Sequence, residues 1–110
     1  MKRFKVGDEV KVEDGIPLDV EGEVTNGWAG TVKETQPDGE YIGVELDAPT
    51  LYSLSDNFLI HCVDILADPD LYIFERGDLT KSSRRDTEEE RAAALAAIED
   101  GMDELEPDDE

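Results

Sequence analysis

Apolar and polar residues alternate in short runs along the first three quarters of this chain, and a period of two predicts strands. Val10 and Val12 share one face while Glu9, Lys11 and Glu13 share the other. Gly30-Thr31-Val32-Lys33-Glu34 reads as a second strand, approached through Asn26-Gly27-Trp28. Ile42, Val44 and Leu46 alternate with Gly43 and Glu45 in the clearest half-buried strand of the sequence. Gln36-Pro37-Asp38-Gly39 lies between these two runs. Proline presets φ for a turn and glycine tolerates a positive φ, so residues 30–46 are predicted to form a hairpin.

Residues 57–66 fit two periods. Leu59, Cys62, Val63 and Leu66 fall on a helical stripe that Ser55 would cap. Phe58, Ile60, Cys62 and Val63 also suit a pleated surface, which Ala67-Asp68-Pro69-Asp70 would end as a turn. We read the segment as a strand. A last strand is placed within Leu71 to Lys81, split at Arg76-Gly77-Asp78. Eight of the nine glycines and four of the five prolines precede Lys81, a turn density that points to short strands.

The pattern changes after Lys81. Ser82-Ser83-Arg84-Arg85 reads as a linker, and Thr87-Glu88-Glu89-Glu90 as a capping box whose acids suit the positive end of a helix dipole. Alanines at 92, 93, 94, 96 and 97 favour the helix that follows. Leu95, Ile98, Met102 and Leu105 form one narrow apolar seam along it, interrupted by Gly101. The sequence thus divides into a β domain over residues 1–81, a linker over 82–85, and a C-terminal helix with an acidic tail over 86–110.

Charge sharpens this picture. The 110 residues carry 30 acids against 10 bases, a net charge of −20. Residues 1–81 hold 18 acids against 7 bases, net −11, and residues 82–110 hold 12 against 3, net −9. Such a balance argues against direct nucleic-acid binding, which needs cations to displace counterions from phosphates. It also argues against an anionic membrane leaflet, and no apolar run is long enough to span a bilayer. The opening Met1-Lys2-Arg3-Phe4-Lys5-Val6-Gly7-Asp8 meets an acid before any apolar core, so no secretory signal is expected. Cys62 is the lone cysteine, which excludes an internal disulfide and points to a reducing cytoplasm.

The run Gly7-Asp8-Glu9-Val10-Lys11-Val12, the stretch Gly27-Trp28-Ala29-Gly30-Thr31-Val32 and the hairpin to Tyr41-Ile42-Gly43-Val44-Glu45-Leu46-Asp47 resemble the SH3-like barrels. Within them the chain is similar to KOW-type domains and, through Gly43-Val44-Glu45-Leu46-Asp47, to the CAP-Gly domain. It also resembles small SH3-like proteins of bacteria and phages with an Asp-Asn before the fourth strand, here Asp56-Asn57. The resemblance spans residues 4–81 and implies an all-β fold: a small five-stranded barrel ahead of the C-terminal helix. The Gly-Lys-Asn-Asp-Gly loop with which CAP-Gly domains bind peptide ends has no counterpart after Asp47, so no ligand site is carried over.

Chemistry is sparsely indicated. His61 and Cys62 are adjacent, so on a strand they point to opposite faces and on a helix they diverge by about 100°; neither arrangement makes a nucleophile–base pair. Gly22 and Gly27 have phosphate-loop spacing, but Trp28 stands where lysine is needed. Asp68 and Asp70 begin like a calcium loop, but Tyr72 replaces the third ligand. No catalytic residue, metal site or cofactor is assigned.

Binding surfaces are the remaining candidates. Tyr41 is expected to face outward, opposite Ile42. Tyr52 lies in the long loop expected from Asp47 to Asp56, and long loops are disproportionately functional. Trp28 reads either as an exposed anchor or as a plug in the barrel. The seam of Leu95, Ile98, Met102 and Leu105 reads either as a docking face for a partner or as a cover for an open edge. The expectation is a non-enzymatic module docking on a basic protein surface. The alternative is a DNA-mimic inhibitor, phage-encoded, of a nucleic-acid-binding protein.

Overall fold

A computed structural model describes residues 3–18, 20, 22–65 and 67–102. Five strands and three helices follow one another: β1 (Glu9–Val12), β2 (Ala29–Thr35), β3 (Tyr41–Leu46), α1 (Ala48–Ser53), α2 (Asp56–Asp64), β4 (Leu71–Glu75), β5 (Leu79–Lys81) and α3 (Glu88–Met102). The strands form one antiparallel sheet in the order β4-β3-β2-β1-β5.

The hairpin forms as the alternation predicts. Gly39 adopts φ +71° and its N–H donates to the Gln36 carbonyl at 2.8 Å, closing the turn between β2 and β3. Val32, Ile42, Val44 and Leu46 point into the core with Val10 and Val12. Gly30 is required for a different reason: a Cβ there would stand 2.0 Å from the Glu45 carbonyl oxygen on the neighbouring strand. Between β4 and β5 a 3-10 turn occupies Arg76–Asp78, where the sequence splits the last strand.

Two expectations are overturned. The fold is not an all-β barrel: among the described residues no ladder joins β4 to β5, so the sheet stays open, and with its helices the architecture is mixed α/β. Helices cover the core instead. Leu51 of α1, Phe58, Leu59 and Cys62 of α2, and Ala94 and Ile98 of α3 all join the cluster built on the sheet. The second correction concerns residues 57–66, which are helical through Asp64 rather than a strand. The Ser55 hydroxyl accepts from the Phe58 N–H at 3.0 Å, and Phe58, Leu59 and Cys62 then turn to one buried face. A side-chain cap and a helical stripe outweigh strand propensity, which chiefly reflects packing on a sheet. Leu66 lies outside the described residues.

The long loop expected from Asp47 to Asp56 is corrected too, since it holds the helix α1. Asp47 caps α1 by accepting from the Thr50 N–H at 3.0 Å, and Pro49 occupies the first turn, where its missing N–H costs nothing. At the start of α3 the Thr87 hydroxyl accepts from the Glu90 N–H at 3.1 Å, and the Glu90 carboxylate accepts from the Thr87 N–H at 2.9 Å. This is the reciprocal cap read from the sequence.

Candidate interaction surface

The residues singled out by sequence are not brought together. Trp28 is only 4% exposed. Its ring meets Phe58, Tyr72 and Phe74 edge-on at centroid separations of 5.7, 5.8 and 6.2 Å, the geometry aromatic quadrupoles favour. The interior reading of Trp28 therefore holds, and its assignment as an exposed binding anchor is withdrawn. Tyr41 is 41% exposed at the start of β3 and Tyr52 is 65% exposed on α1. Along α3, Ile98 is buried and Leu95 and Met102 are half-buried against the core, so the seam covers the body of the protein. Leu105 lies outside the described residues.

The contacts that fasten α3 come from residues to which the sequence reading gives no role. All three bases after Lys81 are arginines, and all three are engaged. Arg85 grips the Asp47 carboxylate through two bonds of 2.8 and 2.9 Å, and it also donates to the Gly27 carbonyl and the Thr50 hydroxyl. Arg91 is buried. It donates twice to Asp86 at 3.1 Å, to Glu45 at 2.8 Å and to the Thr31 hydroxyl at 3.0 Å. Asp86 accepts further bonds from Arg84 at 3.0 Å and from the Ala48 N–H at 2.9 Å. Arg85 and Asp86, assigned by sequence to the linker and the helix start, thus bind α1 and its cap directly, Arg84 supports Asp86, and Arg91 reaches the sheet at Thr31 and Glu45.

The electrostatics follow from this wiring. Burial by itself would raise the pKa of Asp86, but the hydrogen bonds from Arg91, Ala48 and Arg84 prevail and hold it at about 2. The hydrogen bond from Arg85 to Asp47 raises the pKa of the arginine. Burial disfavours the charge on Arg91, yet Asp86 and Glu45 outweigh that effect and raise its pKa. Three closely spaced arginines, the only bases in residues 82–110, are the sequence signal that points to this network.

Among the described residues, the edge strand β4 has no such network of arginines along it. Strand β4 ends the sheet order. Its odd-numbered side chains, Leu71 at 40% and Ile73 at 52%, are exposed beside Ile65 at 54% on the end of α2. A cavity of about 270 Å³ opens between α2 and β4, lined by His61, Cys62, Ile65, Leu71, Tyr72 and Ile73 among others. Asp70, immediately before β4, is half-buried. Its pKa is raised first by burial, with Asp68, Glu45 and Glu99 adding repulsion against one backbone hydrogen bond.

Among the described residues no cluster of three or more histidines, cysteines or carboxylates is arranged to hold a metal ion. No described helix is long and apolar enough to cross a membrane. Against known proteins, the chain matches no family model, no curated protein and no solved structure.

Proposed function

We propose that this chain is a non-enzymatic binding module of the cytoplasm that docks on a basic protein surface. The observation that carries the reading is the disposition of its cations. Arg84, Arg85 and Arg91 are held in internal ion pairs, while Glu13, Asp14, Glu34, Asp38, Glu40, Asp56, Asp64, Asp68, Glu75, Glu88, Glu89, Glu99 and Asp100 are exposed. Arg91 is buried, and Arg84 and Arg85, though exposed, have their charge matched by Asp86 and Asp47, so these three cations fasten α3 and do little to offset the acidic coat. The field outside is therefore strongly negative and would accelerate encounter with a cationic partner.

The test is affinity capture with the full chain as bait at about 50 mM and about 500 mM salt, followed by mass spectrometry. The reading expects a partner with a basic surface, retained at low salt and lost at high salt. Capture that ignores salt overturns it. Displacement of the captured partner by duplex DNA would assign the chain to the DNA-mimic alternative instead.

A further inference from the structure

The free edge of β4 combines three properties that the proposed function does not use. The first is backbone polarity. The Leu46 N–H donates to Asp70 and the Arg76 N–H to Glu40, and β3 and β4 pair in register with Ile42 opposite Phe74 and Val44 opposite Tyr72. Antiparallel ladders alternate bonded and non-bonded pairs, so the even-numbered residues of β4 bond to β3. The N–H groups of Leu71, Ile73 and Glu75 and the C=O groups of Leu71 and Ile73 consequently point away from the sheet, and no described strand pairs with this edge, while the Glu75 C=O caps the 3-10 turn that follows.

The second property is apolar exposure. Leu71 and Ile73 present their side chains on one side of this edge. The same two residues line the cavity toward α2, together with His61, Cys62 and Ile65. A strand laid beside β4 would send every second side chain toward that cavity, against Leu71 and Ile73. The third property is charge. Glu40 and Glu75 stand exposed at one end of the edge, and Asp64 and Asp68 at the other, with Asp70 half-buried between Asp68 and the strand. Arg76, half-buried beyond Glu75, is the nearest cation along the strand.

We infer that β4 accepts an extended segment of a basic partner as a sixth strand, with alternating apolar side chains seated against Ile65, Leu71 and Ile73 and cationic ones facing the flanking acids. Charge selects this occupant over a second copy of the chain. Two molecules at −20 each, meeting edge to edge, would bring the same carboxylates together, which like-charge repulsion opposes. The inference rests on the proposed docking to a basic surface and gives it a location and a mode, β-strand addition.

The experiment titrates the labelled full chain with a synthetic peptide of about ten alternating lysines and valines. A second peptide of the same sequence is N-methylated along its backbone, so that it keeps its charge but cannot donate to a strand. Strand addition expects amide shifts concentrated at Leu71, Ile73 and Glu75. It also expects N-methylation or Ile73→Lys to weaken binding by at least about tenfold, and Tyr52→Lys on α1 to change it by less than about threefold. Circular dichroism and melting of Ile73→Lys should match the parent, since this side chain is half in solvent.

Equal binding of the N-methylated peptide, or shifts located elsewhere, would overturn strand addition while leaving the basic-partner reading intact. Absence of salt-sensitive binding by either peptide would overturn both. A dimer in sedimentation that Ile73→Lys dissolves would assign the edge to a second copy and overturn the inference.

Discussion

Asp86 and Asp70 are both withdrawn from water, in opposite company. Asp86 sits where α3 meets the sheet and α1, with two arginines and a backbone N–H on its oxygens, and its pKa falls to about 2. Asp70 sits at the start of β4 among Asp68, Glu45 and Glu99, and its pKa rises. Burial penalises both charges, so the sign of each shift is decided by the neighbours. The chain concentrates the three cations that follow Lys81 at one seam, while Arg76 alone directly follows β4. One region is fastened by charge, and the other carries uncompensated negative charge beside an open edge.

Breaking the fastened region should give the largest effect. Arg91→Ala leaves Asp86 and Glu45 without their central partner, and loss of one member of a buried pair costs roughly 3–5 kcal/mol. Urea denaturation should register that loss, and a cost below about 1 kcal/mol would mean that α3 is held by packing alone.

Acid should undo the same seam more gently. Because the folded pKa of Asp86 lies below the ordinary value of 3.8, its ionisation stabilises the fold above that value. The contribution fades as pH falls toward about 2. It amounts to roughly 2 kcal/mol, and the difference in stability between the parent and Asp86→Asn should shrink across that window.

Thr87→Ala removes one half of the reciprocal cap on α3 and should cost about 1 kcal/mol in thermal melts. The smallest effect should come from the other region and carry the opposite sign. A raised carboxylate pKa means that the folded state takes up its proton more readily than the unfolded chain, so ionisation of Asp70 destabilises the fold once pH exceeds that folded value. Asp70→Asn should therefore stabilise the protein at neutral pH by less than about 1 kcal/mol and give no gain near pH 3, where the parent is already protonated.

Alternation and turn chemistry identified the hairpin, the first strand and the split last strand. The pairing of Thr87 with Glu90 identified the start of α3. Each of these depends on residues within a few positions of one another, and local stereochemistry decides them. The periodicity of residues 57–66 supported helix and strand alike, and the choice fell to the Ser55 cap and to the core that Phe58, Leu59 and Cys62 enter. Trp28 was similarly undecided until Phe58, Tyr72 and Phe74 surrounded it.

By itself, then, the sequence determined the strand period, the turns, the α3 cap and the excess of acid, because each is written in neighbouring residues or in a simple sum. Only the tertiary structure decided that the sheet stays open under helices, that Arg84, Arg85 and Arg91 pair with Asp47, Asp86 and Glu45, and that one edge is left bare among carboxylates. Those outcomes join residues as far apart as Thr31 and Arg91, and no local pattern encodes which distant group a side chain will meet.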